Sequence, residues 1–568
     1  MELIPRPEHP DPQRMRENWR NLNGIWEFEM DPANSGFERG FVEKEHFSKE
    51  IFVPFCPESR LSGIEYTDFL EAVWYKKHIE LSEEELRGAV LLHFGAVDYE
   101  TAVFVNGREA GRHSGGYSSF FLDITPYAVA GNNVFTVQAV DRTRSHLQPT
   151  GKQSERFFSY GCSYTRTTGI WQTVWLEFVP KKRIISFRIV PDTDTCSVQL
   201  SVSTNAPGNL KAECFYKGSP MGEKNMFISG REACFEIALK EKHLWEVGCG
   251  RLYDVKLTFE EDTVNSYFGL RNICFDGMRF LLNGRSVFQR LVLDQGFYPD
   301  GIYTAPDEEA LQKDIALSQQ LGFNGARLHE KVFEPRFLYH CDKAGYLVWG
   351  EYPNWGVDIS RPEALHIVAK EWLEVLARDR NHPSIIGWCP FNETWDIEGR
   401  KQFDATLSCI YDITKAADPT RPCIDASGNY HVKTDVFCLH DYRQEPESLR
   451  QAYEKLSTEG TPEDRFSSRQ KYHGEPVMIS EYGGIGWNVD QTGWGYGTAP
   501  KSEKEFLDRF AGLTRALMDN PKLFGLCYTQ LYDVEQEMNG LYTYQREPKF
   551  SIEAIAAVLT KPAAIEEE

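Results

Sequence analysis

The sequence predicts three domains in a row: a jelly-roll β-sandwich, an immunoglobulin-like β-sandwich and a (β/α)8 barrel. Three observations predict this order. At 568 residues the chain is too long for one compact core. Residues 1–271 contain short hydrophobic runs separated by turn signals, without a long helical period. From residue 272 onward strand-like and helix-like segments alternate, which is typical of a parallel sheet wrapped by helices.

Residues 1–180 are assigned to the jelly-roll. Hydrophobic runs such as 74–79 and 90–94 are short, and Asn106-Gly107 is a two-residue hairpin signal after the run that ends at Val105. Residues 181–271 are assigned to the immunoglobulin-like sandwich because polar and apolar residues alternate there and the length suits such a domain. Neither region shows a cluster of titratable residues that we would call catalytic.

Residues 272–568 are assigned to the barrel. Strands are predicted near 287–293, 323–328, 346–351, 385–391, 423–426, 435–440, 476–480 and 523–531. Helices are predicted at 307–321, 334–345, 363–380, 400–417, 447–457 and 501–519. Eight strands that mostly alternate with helices match the count of a (β/α)8 barrel. A doubly wound open sheet is the alternative, but no glycine-rich dinucleotide motif follows the first strand.

Two glutamates follow apolar strands in this region. Glu393 ends the stretch IIGWCPFNE, predicted barrel strand four, and Glu481 lies in PVMISEYGG, predicted barrel strand seven. Carboxylates at the carboxyl ends of barrel strands point to the face where such barrels carry their chemistry. Each alone is equally well a helix cap or a salt-bridged strand end. Together they favour glycoside hydrolysis by paired carboxylates.

The composition disfavours several kinds of binding partner. The formal net charge of −22 disfavours nucleic acid and anionic membrane surfaces, and no apolar stretch approaches a membrane span of about 20 residues. The amino-terminal sequence has no signal-peptide pattern, and the thirteen cysteines are scattered singly, as reduced thiols would be. We therefore expect a cytoplasmic protein with a carbohydrate substrate, and the sequence leaves homo-oligomerisation open.

The chain resembles glycoside hydrolase family 2, which includes β-galactosidases, β-glucuronidases and β-mannosidases. Each short motif is weak alone, but their order and spacing along the whole chain are specific. In the jelly-roll they are Phe104-Val105-Asn106-Gly107, Gly115-Gly116-Tyr117 and Gly169-Ile170-Trp171-Gln172. In the barrel they are His382-Pro383-Ser384, Asn392-Glu393 and Glu481-Tyr482-Gly483.

The resemblance implies a retaining mechanism in which Glu393 is the general acid/base and Glu481 the nucleophile. Retaining pairs lie about 5–5.5 Å apart. Because Glu393 must begin protonated and Glu481 ionised, we expect a raised pKa for Glu393.

Further residues are implied around this pair. Asn392 would hydrogen-bond the sugar 2-hydroxyl, Tyr442 would hydrogen-bond the nucleophile, and Arg327 would steady it. The residues themselves add candidates that core packing or structural ion pairs explain equally well. These are Asp294 and His440 in the pocket, and the rings of Trp355 and Tyr528 as stacking platforms.

The sequence also departs from the family. The Asn-x-Lys motif by which β-glucuronidases bind the substrate carboxylate is replaced by Glu537-Met538-Asn539, and an acid at Glu537 would repel a uronate if it faced the pocket. The loop at residues 352–356 lacks the magnesium ligands of the large β-galactosidases, so we expect no metal and no cofactor. The acidic run at residues 533–537 could bind sugar hydroxyls or a cation, or be solvated.

The sequence therefore favours an exo-acting retaining β-glycosidase, most simply of the β-galactosidase type. Two alternatives stay open: a β-glucuronidase or other uronidase with a different carboxylate-binding group, and a carbohydrate-binding protein without turnover. The presence of both glutamates argues against the second.

Overall fold

A computed structural model describes residues 4–487 and 493–566, and it confirms the predicted fold class. Two β-sandwiches precede a parallel barrel. Among the described residues no helix is both long and apolar enough to cross a membrane. All thirteen cysteines are free thiols.

The first sandwich has a six-stranded and a four-stranded antiparallel sheet, with a small two-stranded one beside them. Their apolar faces, including Trp26, Tyr75 and Val103, enclose one core. Asn106 and Gly107 both have positive φ and join two paired strands, as their hairpin signal predicts. The strands are Trp19–Asn21, Gly24–Met30, Lys49–Val53, Ala72–Leu81, Ala89–Phe94, Val97–Asp98, Glu100–Val105, Arg108–Ser114, Phe120–Asp123, Gly131–Val140, Gly169–Ile170 and Val174–Val179.

The second sandwich pairs a three-stranded with a four-stranded antiparallel sheet. Buried and exposed residues alternate along its strands, so one face of each sheet meets the core. Its strands are Ile184–Asp192, Ser197–Thr204, Gly208–Tyr216, Ser219–Ile228, Glu232–Ala238, Tyr253–Phe259 and Asp262–Phe268. A three-stranded sheet then leads into the barrel, formed by Ile273–Asp276, Arg279–Leu282 and Arg285–Ser286.

The barrel wall consists of seven parallel strands and one irregular segment. Strands one to four are Gln289–Asp294, Gly325–Leu328, Leu347–Glu351 and Ile385–Cys389, and strands six to eight are Phe437–Asp441, Val477–Gly483 and Leu523–Thr529. At the fifth position residues 423–427 form only two isolated bridges, one from Cys423 to Trp388 of strand four and one from Ser427 to Asn392 beyond it. The prediction of a full strand near residues 423–426 is therefore wrong. Pro422 lacks an amide hydrogen, and the Asp425 carboxylate accepts the backbone amides of Val432 and Lys433, so local bonds compete with a ladder.

The predicted helices lie close to their expected positions, and one further helix, Ile552–Leu559, was not predicted. They are α1 (Glu308–Gln320), α2 (Pro335–Ala344), α3 (Ala364–Asp379), α4 (Asp404–Ala417), α5 (Pro446–Ala452), α6 (Glu454–Glu459), α7 (Glu503–Met518) and α8 (Ile552–Leu559). The single helix predicted at 447–457 is two short helices that meet at Tyr453. Side chains cap the amino termini of α1, α7 and α8, from Asp307, Ser502 and Ser551.

The first sandwich is fixed to the barrel by a buried carboxylate. One oxygen of Glu371, in α3, accepts the backbone amides of Tyr117 (2.7 Å) and Ser118 (3.2 Å), and the other accepts the Tyr352 hydroxyl at 2.9 Å. The Trp171 indole donates to the Gly116 carbonyl oxygen at 2.8 Å. The Gly-Gly-Tyr and Gly-Ile-Trp-Gln sequences thus lie at the contact with the barrel, where the Trp171 carbonyl oxygen also accepts the Thr304 hydroxyl.

Candidate active site

Glu393 and Glu481 meet at the carboxyl ends of the barrel strands. Glu481 lies within strand seven, and Glu393 follows strand four with a φ of +44°, so a tight turn directs its side chain. The imidazole of His440, in strand six, lies between them. Its Nδ1 is 2.7 Å from Glu393 Oε1 and 3.3 Å from Glu481 Oε2. One oxygen of each glutamate and a His440 ring nitrogen all lie within 4.8 Å of one another.

Glu481 is held at both oxygens. Arg327, in strand two, donates from Nη1 to Oε1 at 3.0 Å, and the Tyr442 hydroxyl donates to Oε2 at 2.5 Å. Arg327 is itself fixed by Glu351, whose Oε1 accepts its Nε–H at 2.6 Å. These contacts fix the orientation of the Glu481 carboxyl group and place a positive charge beside it.

Asn392 presents a free donor beside the pair. Its Oδ1 accepts a bond from Arg327 Nη2 at 3.1 Å, while its buried Nδ2 has no acceptor within the described parts of the chain. The backbone of Asn392 is clamped by Asn354, which bonds both its amide and its carbonyl group, and Trp355 Nε1 donates to the same carbonyl oxygen at 3.2 Å. An orphaned buried amide of this kind fits a sugar hydroxyl as its acceptor.

The pKa values of Glu393 and His440 are shifted in opposite directions. Burial raises the pKa of Glu393, but the hydrogen bond and charge of His440 outweigh burial and leave that pKa below its ordinary value. Burial lowers the pKa of His440, but the charges of Glu481 and Glu393 raise it above its ordinary value. The expectation of a raised pKa for Glu393 is therefore wrong for this structure, because the imidazole of His440 lies against its carboxylate.

Two of the predicted site residues, Asp294 and Tyr528, contact other parts of the barrel instead of the carboxylate pair. The Asp294 carboxylate accepts the Gly296 amide and the Tyr532 hydroxyl, and none of its described hydrogen bonds reaches either glutamate. The Tyr528 ring is buried and packs edge-on against Tyr482 and Phe510 of α7, which is a packing position rather than an exposed platform. Trp355, in contrast, lies half-buried at the mouth of the barrel beside Asn392.

The acidic run after strand eight is tied to other parts of the chain. Asp533 forms an ion pair with Lys549 at 2.7 Å, and Glu535 accepts the Thr165 amide at 3.0 Å. The two oxygens of Glu537 accept the Tyr164 hydroxyl (2.5 Å) and Asn539 Nδ2 (3.1 Å). Glu535 and Glu537 therefore join the barrel to residues 160–165 of the first sandwich, whereas the Asp533 pair lies within the barrel.

Sequence reasoning missed two charged residues of the site. Glu351 ends strand three, so the strand-end signal that found Glu393 and Glu481 could have found it as well. Lys152 comes from the first sandwich, and its Nζ lies 5.1 Å from the centre of the Trp355 ring. No local signal in the sequence indicates that this loop reaches the barrel.

Within residues 4–487 and 493–566, two groups of side chains have the donor types and spacing of a metal site. One is Glu393, His440 and Glu481 themselves, and the other is Glu27, His46 and His78 on the first sandwich. The Arg327 guanidinium beside Glu481 disfavours a cation in the first group. Metal-independent activity stays a prediction.

A parallel barrel with a carboxylate pair at its mouth carries the catalytic groups of a glycoside hydrolase. Comparison with known proteins gives the family. The family model described as "Glycosyl hydrolases family 2, TIM barrel domain" matches residues 279–561. The model "Glycosyl hydrolases family 2, sugar binding domain" matches residues 65–176. The chain belongs to glycosyl hydrolase family 2, as its motifs indicated.

Similar proteins carry two kinds of name. A putative β-glucuronidase of Formosa agariphila is 28% identical over 61% of this chain and 44% of its own length. A β-galactosidase of Thermoanaerobacter pseudethanolicus is 27% identical over 66% of this chain and 50% of its own. The chain thus matches about half the length of these relatives. The structure of a Lactobacillus rhamnosus β-glucuronidase is similar in fold, with a TM-score of 0.81, 20% identity and 99% of each chain covered.

Proposed function

We propose that this protein is an exo-acting retaining β-glycosidase. The observation that carries the proposal is the carboxylate pair: oxygens of Glu393 and Glu481 lie within 4.8 Å of each other at the ends of strands four and seven. Such a close approach of two carboxylate oxygens favours direct attack by one carboxylate over an inverting arrangement, in which the carboxyl groups stand about 6.5–9.5 Å apart to admit a water molecule.

In the first step Glu481 attacks the anomeric carbon while Glu393 gives a proton to the departing glycosidic oxygen, leaving a glycosyl ester on Glu481. In the second step Glu393 takes a proton from water, whose oxygen attacks the same carbon and releases Glu481. Arg327 and Tyr442 hold the nucleophile, and Asn392 Nδ2 donates to a sugar hydroxyl.

His440 shares with Glu393 the proton that the first step requires. With its imidazole 2.7 Å from Glu393, the two groups together hold one proton in the ligand-free site. An aglycone oxygen that hydrogen-bonds Glu393 draws that proton to the carboxyl group, from which it is transferred. When Glu481 becomes an ester it loses its charge, so His440 holds a proton less strongly and Glu393 becomes free to act as a base.

Two classes of substrate are candidates: β-galactosides and β-uronides. Loss of the Asn-x-Lys lysine favours β-galactosides, and the names of similar proteins include both β-galactosidase and β-glucuronidase. The buried lysine Lys152 favours β-uronides. In either case the carbohydrate is the substrate, and no other partner is needed for the reaction.

A panel of p-nitrophenyl β-glycosides varied in the sugar tests the proposal. We expect turnover of at least one member, with the β-anomer formed first in the NMR spectrum, and none by Glu481→Gln. Turnover of no member, or release of the α-anomer first, would exclude a retaining β-glycosidase. The carbohydrate-binding alternative predicts binding without release of nitrophenol.

A further inference from the structure

The loop that carries Lys152 leaves the first sandwich and enters the mouth of the barrel. The backbone amides of Thr150 and Gly151 donate to the Trp355 carbonyl oxygen, at 2.6 and 3.2 Å. The Lys152 carbonyl oxygen accepts the Tyr164 amide at 2.7 Å, and Tyr164 is the residue whose hydroxyl bonds Glu537. Lys152 is therefore placed from two sides, between Trp355 and the loop after strand eight.

Lys152 is a buried cation with unused donors. The residue is 6% exposed, and among residues 4–487 and 493–566 its Nζ makes no hydrogen bond; this atom lies 5.1 Å from the centre of the Trp355 ring. Burial lowers its pKa, but nearby groups that carry or can take negative charge raise the pKa above its ordinary value: Cys162, Glu537, Glu481 and Glu393. The amine is thus charged at neutral pH. A buried ammonium whose three donors lack acceptors is costly unless a ligand supplies them.

The other cation of the site is not available to a ligand. Arg327 uses Nε on Glu351, Nη1 on Glu481 and Nη2 on Asn392. It is fully buried beneath the pair. An anionic group on the substrate would therefore find its counter-charge at Lys152 rather than at Arg327.

Glu537 is less of an obstacle to such a group than the sequence suggests. Both of its oxygens already accept hydrogen bonds, from Tyr164 and Asn539, and the residue is buried. Its charge faces donors of the protein and lies close enough to Lys152 to raise that lysine's pKa. The repulsion expected from an acid at this position is offset by the cation beside it.

We propose that Lys152 binds the carboxylate of a uronic acid, so that the preferred substrates are β-linked uronides rather than neutral hexosides. This inference rests on the proposed function and specifies its substrate class. The carboxylate would accept hydrogen bonds from the unused Lys152 donors, and the first sandwich would thereby contribute directly to specificity. A charge-assisted bond at a buried site is worth more than one to a neutral hydroxyl, which gives the preference its sign.

The test compares matched substrates that differ only at C6. We expect wild-type kcat/KM on p-nitrophenyl β-glucuronide or β-galacturonide to exceed that on the corresponding glucoside or galactoside by about 100-fold or more. Lys152→Met should lower the uronide value by about 100-fold while changing the hexoside value by less than about 5-fold. Lys152→Arg should keep part of the preference. The ratio of the two substrates is independent of how much enzyme is folded.

Lys549→Met is the matched control, because the side chain of Lys549 is also largely buried and its ion-pair partner is Asp533, outside the proposed site. Its uronide-to-hexoside ratio should stay at the wild-type value. Equal losses on both substrates in Lys152→Met, or a wild type that cleaves only hexosides, would overturn this inference and leave the glycosidase proposal standing. Failure to cleave any glycoside would instead refute the proposed function.

Discussion

Glu393 and His440 share a hydrogen bond of 2.7 Å, and this contact has a consequence for the dependence of rate on pH. The His440 pKa is raised above 6.5, so the pair keeps its proton above that pH. Two coupled sites bind their last proton at least as tightly as either one alone. His440→Asn leaves Glu393 alone, so the alkaline limb of kcat/KM should move to lower pH, with a fall in rate of about 10-fold at pH 7.

The measurement is a pH profile on a substrate with a poor leaving group. A dinitrophenyl glycoside is the internal control, because its first step needs no acid and its alkaline limb should be weak in both proteins. An unmoved alkaline limb in His440→Asn would mean that Glu393 holds the proton without the imidazole.

The role of Glu393 is separable from that of Glu481 by leaving group. For Glu393→Ala we expect a loss of about 10²–10⁴-fold on alkyl or sugar aglycones, since a general acid contributes that much. With dinitrophenolate the first step should be nearly preserved and the second should slow, giving a burst of phenolate. Azide should speed the slow phase and give a glycosyl azide of retained configuration. Equal losses on good and poor leaving groups, without a burst, would contradict the assignment.

At the residue scale, strand-end position was sufficient to predict the carboxylate pair. Glu393 and Glu481 follow apolar runs, so the barrel topology brings them together once the strands are counted. The protonation of Glu393 could not be predicted, because it depends on how closely His440 approaches it. Strand position did not predict the direction of the Tyr528 side chain, because an aromatic residue on a barrel strand can point to the helices instead of the mouth of the barrel.

Among the elements, the loop from the first sandwich depends on one glycine. Gly151 has a φ of +53°, and a Cβ there would lie 2.2 Å from the Glu330 carbonyl oxygen. Gly151→Ala should therefore push the loop from the barrel and lower kcat/KM by about 10-fold or more, since a displacement of about 1 Å can cost 10²-fold. Kinetics at a temperature well below the melting transition provide the measurement.

Gly161→Ala is the matched control. Its φ is +51°, so alanine suffers the same backbone strain, but a Cβ would meet no atom within 4 Å. We expect near wild-type kcat/KM for this variant. If the two variants behaved alike, the contact between Gly151 and the barrel would have no part in activity.

The elements of the barrel were predictable to within a few residues wherever hydrophobic period and length agreed. The fifth strand was not, because the hydrogen bonds of Asp425 to Val432 and Lys433 depend on a loop conformation that no local pattern encodes. The break between α5 and α6 was missed for a similar reason, since nothing in the local pattern marks Tyr453 as a boundary.

On the scale of the whole molecule, Arg16 joins the two sandwiches. It donates to Glu177 of the first at 2.8 Å and to Asp262 of the second at 2.9 Å. Burial raises the Glu177 pKa, but bonds to His93 and Arg16 lower it to about 2. A folded pKa below the unfolded value of 4.5 stabilises the protein above pH 4.5 and ceases to do so as pH falls toward 2.

Glu177→Gln should therefore destabilise the protein by about 3 kcal/mol at pH 7, the equivalent of this pKa shift, with about half of the gap gone by pH 3. The melting temperature of both proteins across that range provides the measurement. Glu232→Gln, at an exposed position of the second sandwich, is the control and should not change it. A gap that did not depend on pH would show that packing, not charge, makes the difference.

The sequence indicated which domains follow one another, but not how they meet. The approach of Lys152 to Trp355, and of Glu371 to Tyr117, joins residues more than 200 positions apart. Such contacts depend on the docking of complete domains, which neither periodicity nor turn signals describe. The part of the site that we propose to govern substrate choice therefore became visible only in the structure.

The most direct test of the account is the replacement of the nucleophile. Glu481→Gly should fold and lose about 10⁴-fold or more of its activity on an aryl β-glycoside that the wild type cleaves, because no glycosyl ester can form. Added azide should then restore turnover and yield a glycosyl azide of inverted configuration, identified by NMR. Near wild-type activity without azide, or an azide product of retained configuration, would contradict the assignment of Glu481.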